Sequence, residues 1–125
     1  MKIKNINKID SIAAKAHRVQ KKILAGKDDG CANFVMRHFE MGTGGHGFLH
    51  RHDWEHGIFV LRGRAKLTVD GEEQQVGQGD AFVIPSGKLH TMANAGDEPF
   101  VFICTIPAYA REEERVFVNQ ETAVS

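Results

Sequence analysis

Cysteine is scarce in this chain of 125 residues: there are two, Cys31 and Cys104, far apart and with no CxxC pair. That scarcity excludes a disulfide framework and leaves two free thiols suited to a reducing compartment. Net charge is lacking too, since sixteen basic residues balance sixteen acidic ones. No overall field therefore draws the chain to nucleic acid or to anionic lipid. An arginine-rich stripe with interleaved aromatics is also missing, which argues against a nucleic-acid partner. The longest apolar runs are strand-sized, too short for a transmembrane helix, and MKIKNINKID has no apolar core of a secretion signal. Cytoplasmic residence away from the membrane is the expectation. No linker interrupts the sequence, and this length suits one domain that buries its own core without covalent staples.

What is present reads as a β-protein. Residues 1–30 form a lysine-rich arm, within which IDSIAAKAHRVQKKIL is compatible with a helix on composition. Val19, Ile23 and the GKDDG turn favour instead an irregular arm ending in a strand near 18–24. From Cys31 to Pro107 short apolar segments alternate with turns. ANFVMRHFEM is expected to end at GTGG (42–45), and GIFVLRG (57–63) closes on a glycine. AKLTV (65–69) meets Asp70-Gly71, the strongest short hairpin signal, and EEQQV returns from it. AFVIP (81–85) stops at Pro85, and FVFICTIP (100–107) is the last apolar strand. Strands at turn spacings of about 8–12 residues predict an all-β sandwich or barrel over 31–107. A charged tail (108–125) containing REEER follows, as a brief helix or a surface wrap.

Histidine is concentrated in one place. HRHDWEH carries His50, His52 and His56, three of the seven histidines in the chain. All three are even-numbered, so a regular strand turns them to one face and Glu55 to the other. His52 and His56 would then lie about 13 Å apart along an ideal strand, so joint ligation of one ion requires the chain to curl. A fourth, His90, follows the rigid Pro85-Ser86-Gly87 turn at the start of a new strand. Neutral imidazole suits manganese, iron, nickel, copper and zinc, and these four form a candidate metal site. A six-coordinate ion would keep two positions for water, substrate or dioxygen. His17, His38 and His46 have no spaced partner and read as surface residues. Imidazole ligation implies metal release as the pH falls through the histidine range near 6.5.

These residues resemble the two motifs of the cupin superfamily. The first, G-x5-H-x-H-x3-E-x6-G, maps onto Gly44, His50, His52, position 56 and Gly63. The second, G-x5-P-x-G-x2-H-x3-N, maps onto Gly79, Pro85, Gly87, His90 and Asn94 without a mismatch, after a spacer of fifteen residues (64–78). The departure is His56, which stands where the motif has glutamate, while Glu55 is one residue out of register. The pattern is similar to small single-domain cupins with four histidine ligands. That resemblance implies a jelly-roll β-barrel, one divalent metal per chain with manganese or iron favoured, and a homodimer formed through edge strands.

Around the metal, Met92 shares the face of His90, and Phe102, Cys104 and Ile106 form one face of the last strand. These four are expected to line the barrel interior or simply to pack the core. Arg37, in register with Val35 and Phe39, is either an inward anion clamp or a solvated edge residue. Trp54 either roofs the entrance or packs at a dimer surface, and Asn94 holds the turn after His90. An all-nitrogen site with open positions and apolar walls points to a metal-dependent, dioxygenase-like oxidoreductase acting on a small organic substrate. The alternatives are a non-redox isomerase, lyase or cyclase using the ion as a Lewis acid, and a non-catalytic binding module for a metal or small ligand.

Overall fold

Side chains that alternate between buried and exposed over short segments drive the chain into strands. The computed structural model describes residues 1–118, among which eleven strands form. They are β1 (Ile12–Ala13), β2 (His17–Ala25), β3 (Phe34–His46), β4 (His50–Arg51), β5 (His56–Arg62) and β6 (Arg64–Val69). The others are β7 (Glu72–Gly77), β8 (Ala81–Ile84), β9 (His90–Asn94), β10 (Phe100–Pro107) and β11 (Val116–Phe117). The N-terminal segment holds a 3-10 turn at Ile6–Lys8 before β1 and β2, and the REEER stretch forms another at Glu112–Glu114. Residues 119–125, part of the expected tail, lie outside the described residues. No helix among the described residues is long and apolar enough to cross a membrane.

The strands pair in the order β11-β4-β9-β3-β10-β5-β8, all antiparallel, with β2 added to β3 and the β6–β7 hairpin added to β9. This sheet curls into a single-domain jelly-roll β-barrel. Its core follows from strand parity: on β5, Ile58 and Val60 are buried while Phe59 and Leu61 face out. On β10 the residues Phe100, Phe102, Cys104 and Ile106 are buried, and Phe102 stacks on Phe39 of β3 at 5.0 Å. Asp70-Gly71 makes the β6–β7 turn, with both residues at positive φ and Val69 paired to Glu72.

One expectation is corrected. The GTGG segment does not end the strand before it, because β3 continues to His46, which pairs with His17 of β2 and Ala93 of β9. The glycines bend the strand rather than stop it. A Cβ on Gly45 would stand 2.7 Å from the Gly42 carbonyl oxygen and 2.8 Å from the Met41 side chain, so the bend closes only around a bare backbone. Asn94 braces it by donating to the Met41 carbonyl (3.1 Å) and the Glu98 carbonyl (2.9 Å).

Gly45→Ala is therefore expected to destabilise the fold by at least about 2 kcal/mol, through overpacking against backbone. Gly71→Ala, at φ +82° but with open space around the added carbon, should cost about 1 kcal/mol from conformation alone. Urea denaturation of the two variants checks the order, and an equal loss would contradict the packing account.

Candidate metal centre

The four histidines come from three strands and one connection of the barrel. His50 lies on β4 and pairs directly with His90, the first residue of β9. His56 opens β5, opposite Ile84 of β8, and His52 lies in the short connection between β4 and β5. The chain leaves strand geometry at 52–55, which brings His52 and His56 to a ring separation of 4.7 Å. His50 and His90 are 4.4 Å apart, and His52 and His90 4.9 Å. One ring nitrogen from each of the four lies within 4.8 Å of the other three. Glu55 is exposed and outside the group.

The rings are oriented by their outer nitrogens. Nδ1 of His50 meets the Phe48 carbonyl at 2.6 Å, that of His52 the Trp54 carbonyl at 2.8 Å, and that of His90 the Lys88 carbonyl at 2.8 Å. A carbonyl only accepts, so each Nδ1 carries the proton and donates it, which leaves Nε2 as a bare lone pair facing inward. On His56, Nδ1 meets the Cys104 sulfur at 3.0 Å, and its Nε2 lies 2.9 Å from Nε2 of His52. Nε2 of His90 is buried with no partner among the described residues. Converging imidazole nitrogens, one of them buried and unpartnered, form the donor set that a divalent transition-metal ion takes.

Burial sets the charge state. It pushes the pKa of His50 down to about 3 and that of His52 down to about 4, with the neighbouring His90 adding to both shifts. His56 is lowered well below the ordinary value and His90 is lowered too, in each case chiefly by burial. All four are neutral at pH 7, which is the protonation state that binds a metal.

The site opens on a cavity of about 120 Å³. Arg37, Met92, Phe102 and Cys104 line it; Ile106, expected on the same wall, is buried in the core instead and does not reach the cavity. Arg37 points inward, 6% exposed, and donates to the Cys104 sulfur at 3.1 Å. Burial raises the Cys104 thiol despite the nearby guanidinium, so the sulfur stays protonated while it accepts from Arg37 and holds a hydrogen bond with Nδ1 of His56. Trp54 neither roofs the entrance nor lies on an outer surface. It is 3% exposed and stacks flat on His52 at 4.1 Å, holding that ring from behind. His17, His38 and His46 lie outside the four-histidine group.

Several lining residues carried no signal in the sequence. Phe117 of β11 stacks on His50 at 5.2 Å, because the tail folds back and pairs Phe117 with His50. Glu112 and Arg115 from the same tail, and Lys21 from β2, also line the cavity. The REEER stretch reads as a charged tail, and nothing in its spacing ties it to the histidines.

The cupin domain family profile matches residues 37–106. The 1-methylthio-D-xylulose 5-phosphate methylsulfurylase of Rhodospirillum rubrum is 36% identical over 102 residues, covering 69% of this chain. The chain spans 65% of the length of that relative, slightly under two thirds. Among solved structures, the polyketide cyclase RemF from Streptomyces resistomycificus superposes with a TM-score of 0.85 at 28% identity, over 96% of this chain and 88% of that one. A cupin-2 domain protein from Rhodospirillum rubrum superposes with a TM-score of 0.78 at 26% identity, over 97% and 82%.

The lowered histidine values set a pH dependence. As the pH falls below about 6.5, the unfolded chain takes up protons that the folded chain refuses, so stability is lost with falling pH. His50 and His52 each contribute up to about 1.4 kcal/mol per pH unit between 6.5 and their folded values near 3 and 4. Release of a bound ion is therefore expected below the free-histidine range, where falling stability accompanies it. Metal content and circular dichroism followed together from pH 8 to pH 4 check this; loss of metal near 6.5 from a fully folded protein would contradict it.

Proposed function

This chain belongs to the cupin domain family, and on that premise we propose that it is a metal-dependent enzyme whose four imidazoles hold a divalent ion as a Lewis acid for a small carbonyl-bearing substrate. The observation that carries this reading is the donor set: four inward nitrogens with no carboxylate among them. When bound, an ion with only neutral ligands keeps its full positive charge, polarises a carbonyl oxygen and stabilises negative charge that develops on it.

The chain's own residues support that chemistry. Outward hydrogen bonds to carbonyls keep His50, His52 and His90 in the ligating tautomer. Arg37 adds a fixed positive charge in a buried setting where it is weakly screened. Phe39, Met92 and Phe102 supply an apolar wall that fits an organic body and excludes water. The likeness to a polyketide cyclase over 96% of this chain favours rearrangement of carbon bonds over oxidation. The dioxygenase-like reading competes because the same ligands suit iron and manganese.

The reading has two measurable consequences. Purified protein should carry one divalent transition-metal ion per chain, and His56→Ala should weaken its retention at least about tenfold. Zinc-loaded protein under anaerobic conditions should accelerate deuterium exchange at the methyl group of acetophenone, and His56→Ala should abolish the acceleration. Activity that appears only with iron or manganese and consumes oxygen would establish the oxidative reading instead.

We also infer a homodimer. Phe59 and Leu61 of β5 and Val83 of β8 are 46%, 41% and 64% exposed on one outer face beside the edge strand β8, and pairing of two copies would cover that face. Equilibrium sedimentation should show a dimer that Val83→Glu converts to monomer; a monomeric wild type would refute it.

A further inference from the structure

The charges in the cavity do not balance. Lys15, Lys21, Arg37 and Arg115 line it against a single carboxylate, Glu112. Arg37 is the costly member of the group. Its side chain is 8% exposed, its Nε is buried without a partner among the described residues, and one terminal nitrogen is spent on the neutral Cys104 sulfur. A guanidinium so buried needs an anion close by. The nearest carboxylate is Glu112, whose Oε1 stands 3.9 Å from the other terminal nitrogen, beyond hydrogen-bond range, while it accepts from Lys21 at 2.9 Å. Burial opposes the charge on Glu112, yet the Lys21 hydrogen bond and the Lys21, Arg115 and Arg37 charges hold its pKa below the ordinary value.

Glu112 is also easy to move. It sits in the short turn Glu112–Glu114, its side chain is 45% exposed, and the tail beyond it is held by the two-residue pairing of β11 with β4. Behind the two cations the wall turns apolar at Phe39 and Phe102, which stack on each other, and the Arg37 guanidinium lies 4.8 Å above the Phe39 ring.

We propose that Arg37 and Lys21 form the carboxylate subsite of the substrate cavity, that Glu112 fills it in the free protein, and that the substrate is an organic acid with an apolar body whose carboxylate displaces Glu112. The substrate class rests on the reading of this cavity as an active site; the subsite itself does not require the metal. In the free chain Glu112 competes as an intramolecular anion and lowers the apparent affinity for any carboxylate that must displace it.

Calorimetric titration of the full-length chain with benzoate, after metal removal by chelation and again after zinc loading, tests this. Glu112→Gln is expected to bind benzoate about tenfold more tightly than wild type. Lys21→Gln or Arg37→Gln in that background should remove the gain, and the neutral analogue benzamide should not distinguish the proteins. Lys21→Gln carries the test alone should Arg37→Gln fail to fold, because the Lys21 side chain is the less buried of the two, 15% exposed against 8%. Unchanged or weaker benzoate binding by Glu112→Gln, an equal gain for benzamide, or a gain that survives loss of Lys21 would overturn the proposal. Tighter binding of phenyl phosphate than of benzoate would overturn the carboxylate assignment. Failure to bind zinc with the benzoate ranking intact would sink the Lewis-acid reading and leave the subsite standing.

Discussion

The pairing of His50 with His90 across β4 and β9 joins two segments forty residues apart in the chain, and the site depends on it. It brings the start of the first histidine segment to the strand that begins after the Pro85-Ser86-Gly87 turn, on the face where β3 bends towards β9. Without that pairing the imidazoles of the first segment would have no fourth partner, and the tail strand β11 would lose its seat on β4. Antiparallel registry converts a sequence separation into a ring separation of 4.4 Å.

Burial then does two opposed things at the same place. It keeps the imidazoles neutral, which readies them to bind a cation, and it isolates Arg37, which creates a demand for an anion. A substrate that brings a carbonyl to the first and a carboxylate to the second would answer both. Cys104 links the two halves, since its sulfur accepts from Arg37 and lies 3.0 Å from Nδ1 of His56. A neutral, polarizable acceptor there positions both groups without cancelling the charge of either.

Much of this was legible in the chain. Alternation on β5 and β10, the Asp70-Gly71 hairpin and the proline after β8 are local signals, and local signals survive without a tertiary context. The four histidines were legible by spacing, although parity alone offered a straight strand with His52 and His56 about 13 Å apart. The fold bends that segment into a loop instead. The glycines at 42–45 were misread as a stop because a bend and a turn use the same residue; the partners that extend β3 to His46 lie on other strands. Ile106 shares its strand face with Cys104 yet misses the cavity, since parity gives a direction and not a depth along the barrel axis.

The sequence by itself determined the class of fold and the identity of the four candidate ligands, because strand periodicity, turn chemistry and histidine spacing are properties of short segments. Only the tertiary structure decided what surrounds them. Phe117 against His50, and Glu112 beside Lys21 and Arg37, are contacts between residues far apart in the chain whose spacing carries no information. They exist because the barrel closes and the tail folds across its mouth, and non-local packing of that kind has no period to read.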